Sequence, residues 1–232
     1  SGDDTRHWGP PWLAGSEESA YYLCANRGKR SLTVDMAKPE GQAVIKQLVA
    51  NSDVLIENFK VGGLKRYGLD YASLKALNPR LIYCSITGFG QESPYAHRAG
   101  YDFMIQAMGG IMSLTGKPDS EPGGGPVKSG VAFTDIFTGL YAANAILAAL
   151  YQRRDSSEGC HIDMALMDVQ VGVLANQALN YLTSGNVPQR LGNAHPNIVP
   201  YQAFATQDGH MIMAVGNDEQ FKRFCAVLSL PA

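Results

Sequence analysis

HIDMALMDVQVGVLA, residues 161–175, changes its hydrophobic rhythm in mid-run. The first half, His161 to Ala165, alternates toward the apolar and reads as a short buried strand. Beyond it, apolar residues recur at helical spacing: Val169, Val173, Leu174, Ala178, Leu179 and Leu182. A strand that runs straight into a helix is one step of an α/β fold. Asp168 falls at the junction. Unpaired backbone N–H groups of a helix start lie close to such a position and keep a carboxylate ionised. Apolar neighbours leave it poorly solvated, hence reactive, and the combination suits a carboxylate nucleophile. The same pattern suits a plain N-cap aspartate, and the local sequence does not choose between the two.

Working outward, strands and helices alternate. Ser31 to Met36 reads as a strand. Pro39 opens a helix at a permitted early position, with Val44, Ile45, Leu48 and Val49 as its apolar face. Asp53 to Glu57 is a short buried strand, a second helix runs from Asp70 to before Pro79, and Leu81 to Thr87 is another strand ending in GFG, residues 88–90. This alternation predicts a parallel α/β sheet. Ligands of such sheets bind beyond the carboxyl ends of the strands, where Asn58, Phe59 and Gly88 to Gly90 fall. Farther on, the pattern predicts a helix from Tyr101 to Met112 and a loop from Lys117 to Gly130. A long apolar helix follows, capped by Asp135 and running through Arg153, and another helix spans 168–183. The end of the chain reads as a hairpin, Tyr201 to Thr206 with His210 to Val215, and a last helix from Asp218 to Leu228. The first thirty residues read as irregular.

The 232 residues are 45% hydrophobic and 17% charged, with a formal charge of −2, a composition ordinary for a soluble enzyme. No general basic field favours nucleic acid. No apolar run approaches the roughly 20 residues that span a bilayer, so no membrane is expected. No signal peptide is visible. Cys24, Cys84, Cys160 and Cys225 form no CxxC pair, which argues for reduced thiols in a cytoplasmic or, in a eukaryote, mitochondrial-matrix protein.

Other motifs are weaker. Gly123 to Gly125 lacks the Lys-Ser/Thr of a P-loop and reads as a surface loop, and no GxGxxG follows a strand. HExxH and GxSxG are absent, so neither a metal site nor a serine triad is expected. His195 reads either as a hydrogen-bond donor pointing into a cleft or as a loop histidine. Lys65 and Arg66 follow glycines just past a strand end. They could hold a phosphate or form a solvated helix end.

Six segments together are more specific than any one: GDDTR (2–6), NRGKRS (26–31), DVLIENF (53–59), RAGYD (98–102), IDMALMD (162–168) and HPNIVPY (195–201). In this order and spacing the chain resembles, over essentially its whole length, the family III CoA transferases of the CaiB/BaiF group. In pattern it is nearest their glutarate and other dicarboxylate-type members. The resemblance implies a Rossmann-like parallel-sheet CoA-binding large domain over residues 1–198 and the beginning of a small α/β domain over 199–232. It also implies a chain truncated at both ends. It places the nucleophile on Asp168. Adenine and ribose contacts fall on Val34, Asp35, Met36 and Ala37 and on Asn58, Phe59 and Lys60, and a phosphate-side arginine on Arg66. The segment near pantetheine and thioester falls on Ala99, Gly100, Tyr101 and Asp102. Coenzyme A or acyl-CoA as substrate, a small carboxylate acceptor, no metal and an interlocked homodimer complete the expectation. The activity implied is transfer of CoA from a donor such as succinyl-CoA to a carboxylic acid, through an aspartyl anhydride and an aspartyl-CoA thioester. An α-methylacyl-CoA racemase shares the fold but carries His where this chain has Tyr101. A non-catalytic CoA-binding fragment is the third reading.

Overall fold

The computed structural model describes residues 2–231; Ser1 and Ala232, the outermost residues of the two expected domains, lie outside it. Three strands, β1 (Val54–Glu57), β2 (Ile82–Thr87) and β3 (His161–Ala165), form a parallel sheet in the order β1-β2-β3. Val54 pairs with Ile82, and Tyr83 with His161. β2 is central, and Ile82, Tyr83, Cys84 and Ser85 are all buried. A strand covered on both faces is expected to be continuously apolar.

Helices lie on both faces. Leu81 and Tyr83 point to one side and join Val49, Leu64, Leu69 and Leu74, beneath α2 (Pro39–Ala50) and α3 (Tyr71–Leu77). Ile82 and Cys84 point to the other and meet Ala142 and Ile146 of α6 (Phe133–Ser156). The period of 2 in β2 thus divides its side chains between two cores. A third core, Phe89, Ile105 and Leu166, sits past the ends of β2 and β3. At the opposite end of the sheet Arg153 of α6 is buried. It donates to the carbonyls of Arg80 (2.8 Å) and Asp53 (3.3 Å) and to Asp53 Oδ1 (2.6 Å). These bonds tie the helix to the starts of β1 and β2.

Several sequence expectations change. Ser31 to Met36 forms no strand: no partner strand pairs with its backbone among the described residues, and an unpaired segment gains no ladder bonds. The first thirty residues contain a 3-10 turn, Asp4–His7, and α1 (Ala20–Asn26), which Ser19 caps by accepting from Tyr22 N. The 101–112 helix is two, α4 (Asp102–Met108) and α5 (Ile111–Leu114), separated at Gly110, whose φ is +90°. The 168–183 helix is also two, α7 (Leu166–Gly172) and α8 (Ala175–Ser184), broken at Val173 and Leu174, with the first residue of α8, Ala175, at φ +50°. Of the apolar face expected on α2, Val49 is buried while Val44 and Leu48 are exposed. The absence of a membrane-length run also needs correcting. The 24-residue α6 is, by length and composition alone, long and apolar enough to cross a bilayer. Thr138 and Asn144 interrupt its sequence pattern, but their side chains donate back to the carbonyls of Thr134 and Leu140. The stripe Thr134, Thr138, Ala142, Ile146 and Arg153 is buried against the protein, and Ile136, Leu140 and Leu147 are exposed.

β4 (Tyr201–Ala205) and β5 (His210–Ala214) pair antiparallel as the expected hairpin, and α9 (Asp218–Leu228) follows, capped by Asn217.

The four cysteines are free thiols. Burial, then the nearby Glu57 carboxylate, pushes the Cys84 thiol up to about 11, and the thiolate is the reactive form. In the native protein at pH 8, an aromatic disulfide reagent is expected to titrate exposed Cys24 rapidly. Cys84 and Cys225, both buried, should react only after denaturant is added. Native-state reaction of Cys84 as fast as Cys24 would show that the β2 core opens freely.

Candidate active site

A cleft of about 720 Å³ opens beyond the carboxyl ends of β1 and β2. One wall is the turn after β1, Glu57 to Val61, where Glu57 Oε2 accepts from Phe59 N at 2.8 Å. The floor is Ile86, Thr87 and Gly88 with Leu166, and the facing wall is Ala96 and Arg98 to Asp102. Asp135, Thr138 and Gly139 of α6 close the back, while Thr5, Trp8 and Tyr21 reach in from the N-terminal segment. Asn58, Phe59, Lys60, Ala99, Gly100, Tyr101 and Asp102, distant in sequence, therefore meet in one cavity.

Two glycines make that meeting sterically feasible. A Cβ on Gly100 would stand 2.3 Å from Gly88 Cα, and one on Gly88 would stand 2.5 Å from Gly100 Cα. The 98–102 segment thus crosses the end of β2 backbone to backbone. Directly after the crossing, the Asp102 carboxylate is wholly engaged. Oδ1 accepts from Thr134 N (2.8 Å) and Asp135 N (3.2 Å), and Oδ2 accepts from Gln106 Nε2 (2.6 Å). Asp102, from another helix, caps α6. Asp135 was expected to do so; it lies instead inside the first turn of α6, with Ala132 at the cap position. Thr134 Oγ1 continues the network by donating to the fully buried Gln170 at 2.6 Å. Desolvation, then the Asp102 charge, pushes the Asp135 carboxyl above the usual range. Tyr21 is pushed up first by burial and then by Asp135.

Asp168 lines a second, smaller cavity of about 310 Å³, with Phe89, Gly90, Tyr95, Asp163 and Met167. It sits in the first turn of α7, whose cap position is Ala165, so it is not the N-cap residue. Nor is it poorly solvated: its side chain is exposed and makes no hydrogen bond among the described residues. The turn after β2 is held beside it by three bonds. Thr87 Oγ1 accepts from Gly90 N (3.0 Å), Asp163 Oδ2 from Gln91 N (2.8 Å), and Gly88 O from Met167 N (3.0 Å). The last of these occupies one of the helix-start N–H groups that the junction offered.

Other positions stay apart from the cleft. Val34, Asp35, Met36 and Ala37 line neither cavity. Asp35 Oδ1 accepts from Ala37 N (3.0 Å), and Met36 packs against the core under α2. Arg66 lies in a 3-10 turn, Lys65–Tyr67, with its guanidinium 4.6 Å from the Tyr67 ring centroid, outside both cavities. His195 is a loop histidine: its Nδ1 accepts from Asn197 N at 3.0 Å. The sequence assigned no role in the site to Trp8, Tyr21 or Arg98, and to Asp135 only a helix cap. Arg98 belonged to a quoted motif. Trp8 and Tyr21, whose rings lie 5.1 Å apart, left no periodic signal that could have marked them.

The model of CoA-transferase family III matches residues 1–232. The chain is 58% identical, over all of its length and 58% of the relative's, to the succinate–glutarate CoA-transferase of Agrobacterium fabrum. It is 46% identical, over all of its length and 51% of the relative's, to the human succinyl-CoA:glutarate CoA-transferase. A crystal structure of a CAIB/BAIF family protein from Brucella suis superposes with a TM-score of 0.86 at 60% identity. That match covers 98% of this chain and 60% of the other. The chain thus spans between half and three fifths of the length of these relatives.

Proposed function

From a chain that belongs to CoA-transferase family III, we propose that the whole protein transfers CoA from succinyl-CoA to a dicarboxylic acid, with Asp168 as the covalent relay. The observation that carries the reading is the cleft beyond β1 and β2, which joins Asn58 to Lys60 with Ala99 to Asp102 and reaches Leu166, two residues before Asp168. Asn58, Phe59 and Lys60 hold the nucleotide end of CoA, and the 99–102 segment faces pantetheine and thioester. The relatives' names supply the acid class. Both relatives quoted above are named for succinate or succinyl-CoA and glutarate.

In the proposed reaction an Asp168 carboxylate oxygen attacks the succinyl thioester carbonyl. The C–S bond breaks, leaving an aspartyl–succinyl anhydride and CoA thiolate. The thiolate attacks the aspartyl carbonyl, expels succinate and forms aspartyl-CoA thioester. The acceptor carboxylate attacks that thioester and releases the thiolate. The thiolate then takes the acceptor acyl group from the new anhydride and restores the Asp168 carboxylate. Four exchanges between activated acyl groups replace one difficult transfer. Among the described residues no protein donor ties up the carboxylate before attack, and the bound acyl-CoA would displace the water that its exposure admits. The N–H of Asp168 itself, at the third helical position, has no partner within α7 and can steady an oxyanion. Met167 N cannot do so while it serves Gly88 O.

The protein is also proposed to act as a homodimer. Leu179 and Leu182 of α8 carry the helical apolar spacing and are 63% and 75% exposed, an unpartnered face a second chain would cover.

The test is direct. The natural full-length protein, given succinyl-CoA and glutarate, is expected to yield glutaryl-CoA by mass spectrometry without ATP. No CoA ester from any of a panel of mono- and dicarboxylic acids would overturn the reading.

A further inference from the structure

Arg98 stands on the segment that separates the two cavities. Its side chain lines the larger cleft beside Ala99, Gly100 and Tyr101. Its guanidinium carbon lies 4.7 Å from the centroid of the Tyr95 ring, which lines the Asp168 cavity. Tyr95 is in turn seated edge-on against buried Phe89, with centroids 5.5 Å apart. Arg98 N donates to Tyr95 O at 2.8 Å, fixing the turn between them. The guanidinium is therefore anchored over the Tyr95 ring, a contact that uses none of its N–H donors.

Those donors have no protein acceptor among the described residues. Arg6, Arg153 and Arg190 are each in an ion pair and Arg80 donates to a carbonyl. The other arginines among the described residues, Arg98 included, make neither kind of bond, and of these Arg98 is the one that lines the larger cleft. Among the described residues Lys60 and Arg98 are the two cations that line the larger cleft, where three carboxyl groups, Glu57, Asp102 and Asp135, also stand. An acid entering this acidic surround needs a fixed cation. Lys60 is adjacent to Asn58 and Phe59 at the end of β1, on the residues proposed for the nucleotide. Arg98 is next to the segment proposed for the thioester, and its planar fork matches a carboxylate in two parallel hydrogen bonds.

We propose that Arg98 binds the distal carboxylate of the dicarboxylic acid, the end not joined to CoA, and so selects diacids over monoacids. The inference rests on the proposed function and adds to it the residue that sets substrate class. Succinyl-CoA and the acceptor each present such a distal carboxylate in turn, so one arginine serves both halves of the exchange.

The experiment compares wild type, Arg98→Met and Arg98→Lys in the full-length protein, with glutarate and with pentanoate, an acid of the same chain length lacking the second carboxylate. Binding of each acid is read by ligand-observed NMR, and transfer by kcat and KM. The wild type should prefer glutarate. Arg98→Met should weaken glutarate binding and raise its KM about tenfold or more, as expected for loss of a charge-assisted pair. Pentanoate should change less than twofold. Arg98→Lys should recover only part of the preference, because an ammonium lacks the fork. Equal losses for both acids, or a preference unchanged in Arg98→Met, would overturn the role. A wild type that binds glutarate selectively through Arg98 but forms no CoA ester would count against the proposed function alone.

Discussion

Asp168→Asn is expected to lower CoA transfer by several orders of magnitude and to leave the fold untouched. The amide is nearly isosteric, but it cannot form the anhydride on which every later step depends. The structure makes the two effects separable. Asp168 is exposed and makes no hydrogen bond among the described residues, so the substitution should shift stability by no more than about 0.5 kcal/mol. Chemical denaturation should therefore give overlapping curves for wild type and variant, while coupled assay of glutaryl-CoA formation collapses. Incubation of wild type with succinyl-CoA, followed by hydroxylamine trapping and peptide mass spectrometry, should mark Asp168. Full activity in Asp168→Asn, or a label on another residue, would remove Asp168 from the chemistry.

Gly100→Ala should damage both the site and the fold. The new methyl carbon would lie 2.3 Å from Gly88 Cα and 3.3 Å from Gly88 N and C. These are backbone atoms, which cannot swing aside as a side-chain tip can. The 98–102 segment must move off the end of β2. On one side it carries Arg98. On the other it carries Asp102, which caps α6 through Thr134 N and Asp135 N. The expected cost is about 1–3 kcal/mol of stability, as for overpacking elsewhere. Displacement of binding residues by even about 1 Å can cost about a hundredfold in rate, so kcat/KM should fall by that order. Gly88→Ala should reproduce the defect from the other side of the contact. Gly130→Ala, where a Cβ meets nothing within 4 Å, serves as the neutral comparison. A Gly100→Ala protein with native stability and kcat/KM would show that the crossing is looser than the structure has it.

How much of this was legible beforehand depends on whether the information was local. β1 and β2 could be read as short apolar runs flanked by turn signals, and β3 by its alternation and the switch to helical spacing after it, though its His161 and Asp163 are exposed where a buried strand was expected. Their parallel pairing followed from the helices between them. The hairpin and α9 matched their turn and capping residues. Ser31 to Met36 failed for the converse reason: β-like composition makes a strand only where another backbone is there to pair with it. The breaks at Gly110 and Ala175 depend on single residues with positive φ. For an alanine that conformation is unfavourable and is imposed from outside the segment.

The candidate site divides along the same line. By itself the sequence determined that a carboxylate stands just past a strand end, at residue 168; that DVLIENF and RAGYD serve one site was implied only by the family resemblance. Those are statements about order along the chain. Only tertiary structure decided that Gly88 and Gly100 touch, that Asp102 is committed to capping α6, and that Asp168 is exposed in a cavity of its own. It alone placed Arg66 and Val34 to Ala37 away from the cleft and brought Trp8, Tyr21 and Arg98 to its edge. Each of these is set by what approaches a residue from distant parts of the chain, and a hydrogen bond or steric contact between remote segments leaves no period or spacing in either one.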